Sequence, residues 1–133
     1  MNASSSFSFE NLFVWQKAHQ FVLSVYQVTQ HFPKYELFGL VSQFRRAAVS
    51  ISANISEGYK KMGKPDKLRF FNIAQGSLEE CRNYIILSRD LEYITLDKYN
   101  SLREQIEEVS KLLNAYSTAV VNDIGIKDDL QLS

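Results

Sequence analysis

The sequence predicts an all-α protein, an antiparallel up-down-up-down four-helix bundle, and three observations carry that prediction. Four segments of roughly 22–28 residues place apolar side chains at alternating spacings of four and three, the period of a buried helix face. The connections between them are short, and no stretch sustains the period-two alternation of a half-buried strand. Only two prolines and five glycines occur among 133 residues, too few for the many turns of a sandwich or barrel.

Residues 1–7 are polar and serine-rich and read as a tail, leaving 8–122 for the bundle and 123–133 as a second tail. Ser8 is the expected N-cap of the first helix, with Phe7 and Leu12 spaced for a hydrophobic staple and Glu10 in the first turn. Ala18, Val22, Val25, Thr29 and Phe32 then carry the core stripe, and Pro33 ends it. The second helix starts at Leu37 and buries Val41, Phe44, Ala48, Ile51 and Ile55. Its stop is Gly58, or Gly63 if residues 59–62 continue it. Pro65 and Asp66 suit the first turn of a third helix running to about Asp90. That helix carries one stripe through Leu68, Phe71, Ala74, Leu78, Cys81 and Ile85, and a second through Phe70, Ile73, Ser77 and Tyr84. Thr95 caps the fourth, where Leu102, Ile106, Val109, Leu113, Tyr116 and Val120 keep strict spacing until the pattern fades near Asn122.

Charge balances at fifteen basic and fifteen acidic residues, so no global field advertises nucleic acid. The distribution is uneven. Residues 37–69 hold seven basic groups against Glu57 and Asp66, a net +5, whereas residues 94–133 carry −3. One cysteine, Cys81, excludes an internal disulfide and suits a reducing cytoplasm. The N-terminus lacks the pattern of a secretory signal, and no apolar run reaches the ~18 residues of a membrane span.

The motifs give little chemistry. Gly58 to Lys64 fits the spacing G-x-x-x-x-G-K, but Pro65 follows where Ser or Thr should bind a metal, and a helix precedes in place of a strand. His19 and His31 stand apart, and no Glu-x-x-His pair exists to build a bundle metal site. No metal, cofactor or enzyme activity is expected. Arg45 and Arg46 cannot share a direction on a helix. They are expected either to pack with carboxylates such as Glu57 or Glu80, or to meet phosphates or an acidic neighbour. The cluster Lys60, Lys61, Lys64, Lys67 and Arg69, flanked by Tyr59 and Phe70, is the strongest electrostatic candidate for a phosphate backbone. Asn54, Glu57, Gly58 and Glu80 are candidates for holding helices or subunits together.

Three separate motifs carry a family likeness. The opening Phe9-Glu10-x-Leu12-x-Val14-Trp15-Gln16-Lys17-Ala18, the stretch Gln43 to Gly58, and Phe70 to Glu80 occur in the right order. Together they resemble the four-helix-bundle proteins encoded in intervening sequences of bacterial 23S ribosomal RNA genes, over roughly residues 7–120. This chain has Ser52 where that family has proline, which leaves open whether helix 2 kinks there. The resemblance implies a homopentameric ring. It also implies kinship with the accessory variability determinant of diversity-generating retroelements, a basic barrel that binds nucleic acid and a reverse transcriptase. The resulting expectation is a cytoplasmic, non-enzymatic oligomeric scaffold that binds RNA or DNA through the basic turn. The alternative is a protein-interaction module without nucleic-acid binding.

Overall fold

The computed structural model describes residues 8–122, so both predicted tails and the Phe7 arm of the staple lie outside the described residues. Four helices follow one another: α1 (Phe13–Thr29), α2 (Ser42–Lys60), α3 (Lys64–Asp90) and α4 (Leu96–Val121). Each packs on the next, and α4 closes against α1. Cross-helix bonds give the directions. Ser24 meets Gln105 and Lys17 meets Glu108 between α1 and α4, while Ser50 meets Ser77 and Gln43 meets Tyr84 between α2 and α3. Arg82 meets Glu107 and Gln75 meets Asn114 between α3 and α4. In each pair one number rises as the other falls, so these neighbours are antiparallel.

The core follows the predicted stripes. Val25, Phe44, Ile51, Ile55, Leu78, Ile85, Ile106 and Leu113 are all fully buried, and each such side chain contributes about 1.5–3 kcal/mol relative to exposure. Helix 4 agrees with its pattern throughout: Thr95 Oγ1 accepts from Lys98 N at 3.2 Å, and all six predicted core positions are buried. On α3 the first stripe is buried from Phe71 to Ile85, with Leu68 half-buried. The second stripe is mixed, Ser77 being buried and Ile73 exposed.

Three boundaries differ from the sequence expectation. Ser8 makes no side-chain cap; Phe9–Asn11 forms a single 3-10 turn, and α1 begins after Leu12. Extended backbone at Leu12 sends that residue into the core, and Phe9 folds edge-on against Trp15 at 5.1 Å. Helix 1 stops at Thr29, before Pro33, although Phe32 remains buried against Tyr93.

The third difference is larger. Residues 37–41 form a π-helical turn instead of the start of α2, with Gly39 at φ −112°, ψ −109°. Glu36 accounts for it: its Oε1 accepts from Leu40 N at 3.3 Å, and its Oε2 accepts from the Tyr93 hydroxyl at 2.8 Å. A Cβ on residue 39 would sit 3.0 Å from Glu36 Oε1, so glycine permits the approach. The widened turn throws Leu37 out of the core, half exposed, and leaves Phe38 92% exposed. Helix α2 itself is continuous past Ser52, whose hydroxyl donates to Val49 O at 3.1 Å. The break sits at Gly39.

Arg82 clamps α3 to α4. Its Nε and Nη2 donate to the two Glu107 carboxylate oxygens at 2.9 and 2.7 Å, and Glu79 takes the remaining arm. These bonds hold the Glu107 carboxyl below the ordinary carboxylate range. A carboxyl with a depressed folded pKa adds stability above its unfolded value near ~4.3, and that stability is lost as pH falls through the folded value. Glu107 is half exposed, so solvent screening keeps the contribution under about 1 kcal/mol. Urea melts should therefore show Glu107→Gln slightly less stable than wild type at pH 7, with the difference shrinking as pH falls below ~4.3.

Candidate functional site

The basic cluster is built by the way α2 ends and α3 begins. Helix α2 runs through Gly58 to Lys60, and Lys61 turns extended at φ −67°, ψ 144°. Gly63 opens α3 with Pro65 in its first turn. Gly58 and Lys64 are therefore helical, and no loop of phosphate-cradling amides forms between them.

The seven predicted basic residues divide by what they touch. Lys67 is turned inward: its ammonium donates to Tyr59 O at 2.7 Å and Gly58 O at 3.3 Å, capping the carbonyl end of α2. Burial pushes it below the ordinary lysine range. Lys64 reaches across to α4 and donates to Val121 O at 3.3 Å. Lys60 is exposed. Lys61 and Arg69 flank one ring, with Lys61 Nζ 5.1 Å and the Arg69 guanidinium 4.7 Å from the Phe70 centroid. Each also faces an acid of its own helix, Glu57 at 3.8 Å and Asp66 at 3.7 Å. Exposed pairs this long hold weakly and leave the cations available.

Arg45 and Arg46 are not part of this group. Fourteen residues separate Arg46 from Lys60, about 20 Å along a helix rising ~1.5 Å per residue. Arg45 is spent on α1: its Nε donates to Thr29 Oγ1 at 2.8 Å, and its guanidinium lies 4.5 Å from the centre of the Tyr26 ring. The expected carboxylate partner is replaced by a hydroxyl and an aromatic face, because α1 crosses where Glu57 and Glu80 do not reach. Arg46 is exposed, with no ion pair among the described residues. It lines a groove between α2 and α3 together with Glu80 and Tyr84.

The four assembly candidates also separate. Asn54 Nδ2 donates to Ser50 O at 2.8 Å and Ser50 Oγ at 3.0 Å, inside its own helix. Glu57 pairs with Lys61 one turn on and bonds to no second helix among the described residues. Gly58 is buried at the α2–α3 contact, where a Cβ would fall 2.4 Å from Phe71 Cε1. Glu80 is exposed in the groove.

Cys81 is fully buried, and burial together with the Glu80 charge pushes its thiol up, away from the thiolate a nucleophile needs. His19 stacks on Trp15 at 4.8 Å. Among the described residues no three His, Cys, Asp or Glu groups come together to hold a metal ion. Nor is any described helix long and apolar enough to cross a membrane. Sequence reasoning missed the Tyr35–Tyr93–Glu36 cluster, in which hydrogen bonds to Tyr35 and Glu36 push the Tyr93 phenol up. Periodicity carries no signal for it, since Tyr93 lies 57 residues from Glu36.

The chain matches the family described as 23S rRNA-intervening sequence protein over residues 10–115. Among solved structures, it is similar to the crystal structure of a protein with unknown function from the S23 ribosomal protein family of Bacteroides thetaiotaomicron. That likeness has 27% identity and a TM-score of 0.73, and it covers 78% of this chain and 97% of that one. A comparison with curated proteins gave no match.

Proposed function

Because the chain belongs to the 23S rRNA-intervening sequence protein family, we propose that it is a non-enzymatic, self-assembling helical scaffold holding RNA or DNA at the α2–α3 turn. The observation that carries the nucleic-acid part is the trio Lys60, Lys61 and Arg69. These cations face solvent on one turn, two of them braced on Phe70, with only weak acidic opposition. Such a surface follows phosphates without reading bases, because its groups are charges and not planar base-edge partners. Lys64 and Lys67 hold the turn in shape, and Arg45 holds α1 to α2. The scaffold part is supported by side-chain bonds that tie one helix to the next, Ser77 to Ser50, Tyr84 to Gln43, Gln75 to Asn114 and Arg82 to Glu107.

The test is filter binding of a labelled RNA hairpin and the matching duplex DNA across a salt series. With three phosphate contacts per protomer, log K should fall against log salt with a slope of about −3. Reversing all three charges (K60E, K61E and R69E together) should weaken retention at least ~tenfold and leave the helical circular dichroism unchanged. No retention at low salt, or retention indifferent to the reversal, overturns the nucleic-acid part. Indifference would favour the other reading, a protein-interaction module whose basic turn meets acids of a neighbouring subunit.

A further inference from the structure

The end of α2 that carries the basic turn also carries a cleft, and the two share a side chain. Ser56, Tyr59 and Lys60 stand three and four residues apart, so they line one side of the last turns of α2. The 3-10 turn at Phe9–Asn11 packs beside that helix end, and Ser8 and Phe9 make the opposite wall. The space between measures about 390 Å³, with Glu57 also lining it. A cavity of about 150 Å³ already admits benzene, so a nucleobase has room.

Both rings of the cleft are held in place before any ligand arrives. Phe9 is half-buried and meets the Trp15 ring edge-on at 5.1 Å. Tyr59 is half-buried too, with the Lys67 ammonium 5.6 Å from its ring centre. Aromatic side chains fixed at a wall are the surfaces on which an unstacked base settles. The polar groups of the cleft are mostly acceptors. The Glu57 carboxylate only accepts, and its pairing with Lys61 at 3.8 Å is exposed and weak. Ser56 Oγ gives its proton to Ala53 O at 2.8 Å, so it has lone pairs left to offer. Lys60 supplies the cation, and it belongs also to the trio assigned to phosphates.

We infer that this cleft takes one unpaired guanine base, set between Phe9 and Tyr59, while its strand runs over Lys60 onto Lys61 and Arg69. The acceptors make the choice of base. Guanine presents two adjacent N–H donors on its Watson–Crick edge, which match the two oxygens of the Glu57 carboxylate. Adenine and cytosine each present an amine beside an acceptor nitrogen, and uracil presents a single N–H between two carbonyls. The inference rests on the nucleic-acid part of the proposed function. To a charged surface blind to sequence it adds a place that reads a base.

Fluorescence anisotropy on the full chain tests it, with a labelled strand of abasic sugar-phosphate units carrying guanine, adenine or no base at its centre. The guanine strand should bind about tenfold tighter than the adenine strand, the discrimination of one bidentate pair. Adenine should in turn bind about tenfold tighter than the base-free strand, the effect of one stacked base. Glu57→Gln should bring the ratio of guanine to adenine affinity to about one, because an amide puts a donor where the carboxylate has an acceptor. Losing the Glu57 charge shifts every strand alike, so the ratio alone reports base reading. Tyr59→Leu should shrink the advantage of adenine over the base-free strand, with circular dichroism checking that the helices persist. Glu57 is exposed, so the first variant does not depend on that check. No binding of any strand at low salt overturns the nucleic-acid part of the proposed function and this inference together. Guanine and adenine strands that bind alike overturn the inference alone, as does a guanine preference that Glu57→Gln leaves in place. An adenine advantage untouched by Tyr59→Leu overturns the cleft as the place of binding.

Discussion

Gly58→Val should destabilise the protein by about 3 kcal/mol, the upper end for overpacking a core contact. Gly58 lies in the middle of a helix turn, where glycine ordinarily costs about 1 kcal/mol relative to alanine. Helix propensity alone would therefore favour any substitution. Packing decides otherwise, because the new Cβ would stand 2.4 and 2.9 Å from two carbons of the Phe71 ring and 3.2 Å from Phe70 Cβ. Phe71 cannot swing aside: it is buried, and its centroid lies 4.6 Å from that of Tyr116, itself buried on α4. The strain would pass through α3 into α4. Gly76 is the control, since a Cβ there meets nothing within 4 Å and Gly76→Ala should gain up to about 1 kcal/mol. Urea denaturation of the two variants should shift the midpoint in opposite directions. A Gly58→Val protein as stable as wild type would show that α2 and α3 are not pressed together here.

Lys67→Met should cost about 2 kcal/mol, since hydrogen bonds to a charged group contribute about 1.5–3 kcal/mol. Methionine keeps most of the apolar stem and removes the ammonium that ties the start of α3 to the last carbonyls of α2. The lysine stem also lies against Tyr59, the nitrogen 5.6 Å from the ring centre. Lys60→Met, at an exposed position one turn away, should leave stability within about 0.5 kcal/mol of wild type. The two variants should exchange roles in RNA binding: Lys60→Met reduces the salt slope by about one and Lys67→Met leaves it unchanged. If Lys67→Met lowers the slope without lowering the denaturation midpoint, its ammonium faces ligand and does not cap the helix.

The candidate site was legible only as a composition. Five basic residues within ten positions announced a positive turn, but not which of them point outward. Lys67 and Arg69 sit two apart on α3, so they leave the helix in different directions, one toward the end of α2 and one over Phe70. Arg45 and Arg46 repeat the lesson one residue apart, the first bonded to Thr29 and the second lining the groove.

The sequence by itself determined what a local period can encode: four helices, the face each one buries, and the core of α4 residue by residue. A repeat of four and three selects one stripe on a helix whatever it packs against, and burial of that stripe supplies most of the stability. Only the tertiary structure decided where the regular pattern yields. Glu36 meets the Tyr93 hydroxyl across 57 residues of chain, and that bond stands beside the π-turn that pushes Phe38 out. Gly58 meets Phe71 where two helices touch, and Lys67 finds the carbonyls of a helix it does not belong to. Such contacts join residues distant in the chain and carry no period, so they become visible only once the helices are docked.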